Sequence, residues 1–335
     1  MIRIGINGFG RIGRCVYRIA HKRNDMEVVA INDVADPKAL AYLLKFDTVM
    51  GKWDDDVKVE GDTLHAGRFK TKFLNVKEPP KLPWGKLGVD IVVESTGRFL
   101  KRAELEGHLQ GGAPKVILTV PPKDKLDATV VIGVNDKVLT PQMKLVSNAS
   151  CTTNCLAPIA KVLHEKFGIV QGLMTTVHAY TNDQRLAEVA HSDFRRSRAA
   201  AENIIPTTTG AAVAVGEVLP DLKGKLDGLA MRVPVPDGST VDLVTELNRK
   251  TTVDEINDAV KKAAQGPLAG VIEYCEDPVV SSDIIGNPHS SIFDALSTQV
   301  VEGDLVKTIA WYDNEWGYSN RVADLVQKMV ALGRG

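Results

Sequence analysis

No stretch of this chain limits its folding more than Gly8-Phe9-Gly10-Arg11-Ile12-Gly13, which follows the apolar run Ile2–Asn7 and opens an apolar-periodic segment, Arg11–His21. Glycines at this spacing, between a strand and a helix, allow a tight turn, close approach of backbone to a pyrophosphate, and close packing of the helix on the strand. The helix N-terminus then faces the phosphates. About twenty residues on, after a second strand-like run, Glu27–Asn32, stands Asp33. A carboxylate there accepts hydrogen bonds from ribose hydroxyls and repels a 2′-phosphate, which favours NAD over NADP. The plainer alternative is a glycine-shaped turn beside a solvated surface acid.

The pattern continues with helix Pro37–Phe46 and the β-branched runs Val89–Ser95, Lys115–Val120 and Thr129–Val134. Alternation of this kind predicts βαβ units and a mostly parallel sheet. Residues 53–82, rich in Lys, Asp and Glu, read as peripheral antiparallel hairpins. Beyond residue 151 long alternating strands dominate, such as Gly228–Val235, Thr240–Leu247 and Val306–Tyr312. The predicted class is α/β, with a Rossmann-type parallel-sheet domain plus an α+β catalytic domain whose sheet is mainly antiparallel. Residues 1–150 form the first, completed by a C-terminal helix over 317–335, and residues 151–316 form the second. That helix carries Val322, Leu325, Val326, Met329 and Val330 on one face.

Residues Ala149-Ser150-Cys151-Thr152-Thr153-Asn154-Cys155 form a small-residue turn leading into the apolar-periodic helix Leu156–Phe167. A cysteine where a helix begins sits among unpaired N–H groups, which favour thiolate over thiol. Cys151 is therefore a candidate nucleophile, although a buried cysteine also serves as a small hydrophobe. His178, in Thr175-Thr176-Val177-His178-Ala179-Tyr180-Thr181, lies on a predicted strand, Leu173–Thr181, that could carry it to the Cys151 turn. Paired with a thiol, an imidazole activates sulfur and shuttles a proton to a substrate oxygen. A satisfied structural histidine is the competing assignment.

The arginines of Arg195-Arg196-Ser197-Arg198, the isolated Arg232, and Thr207-Thr208-Thr209-Gly210 ahead of an apolar helix are candidate phosphate binders. For Arg195 and Arg196, interdomain or intersubunit salt bridges are the favoured alternative. The polar segment 182–209 is long enough to suggest a functional loop. A net charge of -1 gives no drive toward nucleic acid or an anionic membrane, and no apolar run reaches bilayer length. Met1 runs directly into a strand without a leader pattern, so the expectation is cytoplasmic. Four cysteines, at 15, 151, 155 and 275, fit neither a disulfide framework nor a zinc site, so no metal is expected.

Four motifs together resemble the phosphorylating glyceraldehyde-3-phosphate dehydrogenase family over essentially the whole chain. They are Ile6–Arg14, Ser147–Pro158, Pro206–Ala212 and Trp311–Glu315. The resemblance implies an NAD-dependent oxidoreductase of glycolysis and gluconeogenesis that converts D-glyceraldehyde 3-phosphate to 1,3-bisphosphoglycerate through a cysteine thiohemiacetal and thioester. It makes Cys151 the nucleophile and His178 its acid–base partner. Gly8, Gly10, Arg11, Ile12, Gly13 and Asp33 would hold the dinucleotide, with Thr119, Asn314 and Tyr318 at its nicotinamide end.

The same resemblance assigns Thr181, Arg198 and Arg232 to the substrate phosphate, and Ser150, Thr152, Thr209 and Gly210 to inorganic phosphate. It also implies a homotetramer in which loop 182–209 reaches toward a neighbouring subunit's cofactor. Two departures stand out. Ala190 replaces a proline of many NAD-specific relatives, which predicts weak use of NADP, and Val120-Pro121-Pro122-Lys123 replaces the more usual Ala-Pro-Ala-Lys. The alternatives are a dehydrogenase of a related phosphorylated aldehyde such as erythrose 4-phosphate, or an NAD-binding protein without catalysis. The Thr207–Ala212 run argues against the first, and intact Cys151, His178 and Asn314 against the second.

Overall fold

The structure, a computed structural model, describes residues 1–334. The chain divides into two units. One comprises Met1–Val130, Asp136–Ala149 and the chain from Ser319 onward, and the other Val131–Asn135 and Ser150–Tyr318.

The first unit contains strands β1 (Ile2–Asn7), β2 (Met26–Asn32), β3 (Val57–Glu60), β4 (Thr63–Ala66), β5 (Phe69–Leu74), β6 (Ile91–Glu94), β7 (Val116–Leu118), β8 (Ala128–Thr129) and β9 (Leu145–Ser147). Helices α1 (Arg11–Lys22), α2 (Pro37–Lys45) and α3 (Arg102–Gln110) intervene. The strands form one sheet in the order β3-β4-β5-β2-β1-β6-β7-β9-β8. Every pairing from β5 to β8 is parallel, while β3-β4 and β4-β5 are the antiparallel hairpins expected at the periphery. Ile4, Ile6, Val28, Ile31, Ile91 and Val93 are buried, as strands covered on both faces require. Because β2 and β6 flank β1 on opposite sides, the connections diverge at its carboxyl end, the place where sheets of this kind bind ligands.

The strand read over Thr129–Val134 stops after Thr129. Gly133 takes φ 82° and the Val134 N–H bonds back to the Val131 carbonyl at 3.0 Å, so this β-branched run closes into a turn.

The second unit runs through α4 (Cys151–Phe167), β10 (Ile169–Ala179), β11 (Ile205–Thr208), α5 (Ala211–Val218), β12 (Leu226–Val233), β13 (Ser239–Leu247), α6 (Val253–Ala264), β14 (Ile272–Cys275), α7 (Ser281–Ile284), β15 (Ser291–Val301) and β16 (Leu305–Tyr312). Its sheet has the order β11-β12-β10-β13-β16-β15-β14. Pairings β10-β12 and β14-β15 are parallel and the other four antiparallel. Helix α4 packs against β10, β13, β15 and β16. Alternation along β10 turns Met174, Thr176 and His178 inward and leaves Leu173 exposed. Strands β14 and β15 carry no clear alternation in the sequence. In β15, Ser291–Ala295 is buried without alternation, and a register shift between Asp294 and Gln299 breaks the period.

Helix α8 (Trp316–Arg334) ends the described chain. Its apolar face, Val322, Leu325, Val326, Met329 and Val330, is buried as its periodicity predicts. Lys115 Nζ donates to the Met329 carbonyl at 2.7 Å, and Arg23 pairs with Asp324 at 2.6 Å.

Candidate active site

The Cys151 turn is built from its neighbours outward. Ala149 adopts φ 56°, a left-handed conformation that costs an L-residue about 1–2 kcal/mol, and this redirects the chain out of β9. Ser150 then caps α4, its Oγ accepting the Thr153 N–H at 3.0 Å. No acidic residue occupies the first turn. Helix α4 thus begins at Cys151, five residues earlier than its apolar periodicity indicates, and the half-buried thiol stands at the helix N-terminus.

Strand β10 delivers His178 to this point. Cys151 Sγ lies 3.5 Å from His178 Nε2. On the other side of the ring Nδ1 is 2.6 Å from the Ala179 carbonyl oxygen, a contact that only an Nδ1–H can make favourably. Arg232 Nη1 donates to the same oxygen at 3.1 Å, which explains its side-by-side approach to Nδ1 at 3.0 Å. The tautomer is therefore Nδ1–H, and the bare Nε2 lone pair faces the thiol.

Burial raises the Cys151 pKa, whereas the Arg232 charge and hydrogen bonds from the Thr152 hydroxyl and N–H lower it. Burial, then Arg232, depress His178 to about 3. The expectation of a resting thiolate is thus opposed by desolvation. Burial favours a neutral thiol and a neutral base, one proton transfer from an ion pair whose sulfur has anion-stabilising neighbours. Behind them, Tyr312 OH bridges Thr152 Oγ1 at 2.8 Å and Thr176 Oγ1 at 2.9 Å. Cys155, one turn along α4, is fully buried against Ser291, and its thiol is pushed up to about 12.

The candidate phosphate binders Arg232, Thr181, Ser150, Thr152, Thr209 and Gly210 lie on β12, just past β10, and at the starts of α4 and α5. Arg232 Nε is buried with no hydrogen-bond acceptor, an arrangement that suits an anion. Gly210 begins α5, where a Cβ would meet no atom within 4 Å, and Thr209 Oγ1 accepts the Ala211 N–H at 3.2 Å. Thr153 Oγ1 donates to the Ala211 carbonyl at 3.3 Å, bringing the starts of α4 and α5 together. Thr181 sits past β10, its N–H donating to Gln184 Oε1 at 3.3 Å. Arg198 lies instead in an exposed ion pair with Glu188 at 2.9 Å. Arg196 pairs with Asp183 and Asp193 within its own loop, rather than across a domain or subunit boundary, and its charge also bears on His178 and Arg232. Nothing in the run of arginines separates these two roles, since only the fold of loop 182–209 does. Asn314, just after β16, accepts Ser239 Oγ–H at 2.6 Å, and Ser239 Oγ accepts the Ala179 N–H at 3.0 Å. Tyr318 is buried in the first turn of α8.

Comparison with known proteins bears on what this arrangement is. The model for the glyceraldehyde 3-phosphate dehydrogenase NAD binding domain matches residues 2–102, and that for the C-terminal domain matches residues 150–314. The chain is 57% identical over 333 residues to the glyceraldehyde-3-phosphate dehydrogenase of Priestia megaterium and 56% identical over 333 residues to that of Geobacillus stearothermophilus, with 99% of each chain covered in both cases. This chain belongs to the glyceraldehyde-3-phosphate dehydrogenase family.

The family's cofactor is NAD, and the first unit fits it. Gly8 takes φ 91°, and a Cβ there would stand 2.6 Å from the Thr96 nitrogen. At Gly13 a Cβ would stand 2.2 Å from the Gly8 carbonyl oxygen, so helix and turn could not approach as they do. Gly10 is open on its side-chain side, and α1 carries neither a side-chain cap nor an acid in its first turn, which leaves a cradle for phosphates. Arg11 pairs with Asp47 at 2.5 Å, and Ile12 is half-buried. Asp33 accepts the Phe9 N–H at 2.7 Å and the Ala35 N–H at 3.0 Å, so it braces the glycine turn while each oxygen keeps a lone pair for a ribose hydroxyl.

Thr119 is buried at the end of β7, its N–H and Oγ1 both donating to the Glu94 carbonyl. The Glu94 side chain, missed from sequence, is fully buried and ties the strand ends together. It accepts Asn7 Nδ2 at 2.6 Å, the Thr96 N–H at 2.8 Å and His108 Nε2 at 2.9 Å. The same Thr96 N–H lies against the turn at Gly8.

Proposed function

We propose that this protein oxidises and phosphorylates D-glyceraldehyde 3-phosphate, with NAD and inorganic phosphate, to 1,3-bisphosphoglycerate, and so serves glycolysis and gluconeogenesis. The observation that carries this reading is Cys151 Sγ at 3.5 Å from the unprotonated Nε2 of His178, at the start of α4. Sγ attacks the aldehyde carbon as its proton passes to Nε2, forming a C–S bond. The imidazolium and the Cys151 N–H stabilise the oxyanion, which takes the proton to give a thiohemiacetal. NAD, when bound, supplies the hydride acceptor. His178 removes the hydroxyl proton as the carbon is oxidised, leaving a thioester on Cys151. A phosphate oxygen then attacks the thioester carbonyl, the C–S bond breaks, and the acyl phosphate departs from a sulfur stabilised by Thr152 and Arg232.

In this reading Arg232 and Thr181 bind the substrate phosphate, and Ser150, Thr152, Thr209 and Gly210 the inorganic one. The buried Arg232 Nε supports the first assignment and the paired helix N-termini the second. Arg196 is a better candidate than Arg198 for the remaining cation, since its charge bears on the pair. Gly8, Gly10, Arg11, Ile12, Gly13 and Asp33 hold the dinucleotide, with Thr119, Asn314 and Tyr318 at its nicotinamide end. NADP is used weakly. Residues 1–150 with the C-terminal helix that begins near 317 act as the dinucleotide domain and 151–316 as the catalytic domain. The two contact units support this apart from 131–135, 150 and 317–318, which group with the second, and residue 335 of the expected helix lies outside the described residues.

A cytoplasmic homotetramer completes the reading. Leu173, Leu229, Leu186 and Phe194 expose apolar surface on the second sheet and on loop 182–209, as copies of the chain packed together would require. Among the described residues no helix is long and apolar enough to cross a membrane. Initial rates with glyceraldehyde 3-phosphate and with erythrose 4-phosphate, using NAD or NADP, with and without phosphate, test the activity. Rates that ignore phosphate, or that favour the four-carbon aldehyde, would overturn it. Light scattering on the purified protein reads the oligomeric state.

A further inference from the structure

Two carboxyl groups of the second unit meet in its interior without a cation. Asp237, in the turn between β12 and β13, is fully buried, and Asp313, just past β16, is 1% exposed. Their side chains are in hydrogen-bonding contact, and Glu315 adds a third negative charge nearby. The Asp237 charge also bears on Cys151. Neither carboxyl forms an ion pair with a Lys, Arg or His among the described residues.

The two are served unequally by donors. Asp313 accepts three backbone N–H groups, from Gly286 at 2.7 Å, Glu315 at 2.9 Å and Trp316 at 2.5 Å. Asp237 accepts one, from Gly238 at 2.8 Å, and its Oδ2 has no N–H partner. Two ionised carboxylates in such contact repel each other, whereas one shared proton makes the contact a hydrogen bond. The donor sets differ in the direction that makes Asp313 the better carboxylate and Asp237 the better holder of the proton.

We propose that Asp237 is a protonated positioning residue, whose hydrogen bond to Asp313 latches the β12–β13 turn to the turn after β16. Asp237 stands two residues before Ser239, and Asp313 one residue before Asn314. The latch therefore holds both ends of the Ser239–Asn314 hydrogen bond and with it the orientation of the Asn314 amide. Its role toward the nicotinamide rests on the function proposed above. Protonation also withholds a negative charge that would raise the Cys151 pKa.

Burial and the neighbouring carboxylates hold Asp237 near 9 rather than 3.8. The folded chain thus retains a proton that the unfolded chain releases. The stabilisation from this group is complete below the unfolded pKa and is lost as pH rises toward the folded one. Asp237→Asn keeps an N–H donor for Asp313 and an oxygen for the Gly238 N–H but cannot ionise, while Asp237→Ala removes the latch.

The test follows Tm of the unliganded protein from pH 5 to 9, alongside KM for NAD. Wild-type Tm should fall with pH more steeply than that of Asp237→Asn, the gap widening toward pH 9. Wild-type KM should rise at the alkaline end where the Asn variant stays flat, and Asp237→Ala should show a KM raised about 5-fold or more at every pH. Parallel Tm profiles for wild type and Asp237→Asn would overturn the proposal, because the carboxyl would then be ionised throughout. The Tm comparison needs no turnover, so it reads the latch even if the proposed activity fails.

Discussion

The protein starts α1 and α4 in two different ways, and the contrast explains what each end is for. At α1 the preceding turn is made of glycine, no side chain caps the helix, and the space beside Gly10 is open. At α4 the turn contains a left-handed alanine, Ser150 caps the first turn, and Cys151 projects at the start. Neither first turn contains an acid, so both helix ends retain an electrostatic preference for negative charge. One offers it to a ligand by removing side chains. The other offers it to its own sulfur and to whatever the sulfur bonds.

If that contrast is right, the largest effect belongs to the sulfur. Cys151→Ser should lower aldehyde oxidation by about 10⁴-fold or more, because a hydroxyl lacks the thiolate on which addition depends, while NAD binding measured by fluorescence titration persists. Cys155→Ser, altering a buried thiol that faces Ser291, should keep most activity. Equal losses per folded molecule would erase the distinction between the two cysteines.

His178→Asn should cost about 10²–10⁴-fold in turnover, the usual contribution of a general base. Iodoacetamide alkylation of Cys151 at neutral pH should slow with it, and an unchanged alkylation rate would separate imidazole from sulfur. The same residue has a pH signature. Its folded pKa of about 3 lies below the ordinary 6.5, so the unfolded chain takes up a proton that the folded chain refuses. Wild-type stability should therefore decline as pH falls from 6.5 toward 3, and His178→Asn should reduce that decline in a Tm series.

The glycine turn sharpens the other side of the comparison. Gly13→Ala forces a methyl against the Gly8 carbonyl and should destabilise the fold by about 1–3 kcal/mol, the typical range for overpacking. Gly10→Ala meets no atom within 4 Å, so Tm should hold while NAD affinity drops about 10-fold. A Gly10 variant that loses stability but not affinity would show the cradle to be structural only.

The smallest expected effect is at Asp33. One charge repulsion in a partly solvated site is worth about 1–3 kcal/mol, so preference for NAD over NADP should be finite, and Asp33→Gly should narrow it. Some lost NAD affinity should accompany the change, because the Phe9 and Ala35 N–H groups lose their acceptor. Equal or better kcat/KM for NADP in the wild type would show that Asp33 does not read the ribose. Complete absence of NADP turnover would show that Ala190 has no bearing on the pocket.

What the sequence by itself determined is local. Glycine spacing, the acid after the second strand, the serine before a helix and the apolar face of α8 can each be read within a few turns of chain, because backbone sterics and capping act between neighbours. Even there, Thr129–Val134 misled, since β-branched residues fit a turn once Gly133 supplies its positive φ. Tertiary structure alone decided the partnerships. Cys151 meets His178 across 27 positions and Thr152 meets Tyr312 across 160. The Arg196 ion pairs with Asp183 and Asp193, the Glu94 tie and the burial of Asp237 and Asp313 belong with them. Such contacts depend on which strands lie side by side, in what register, and which side chains the core strips of water. Residue spacing carries none of that information, so the chemistry of single residues was legible while the state of each proton was not.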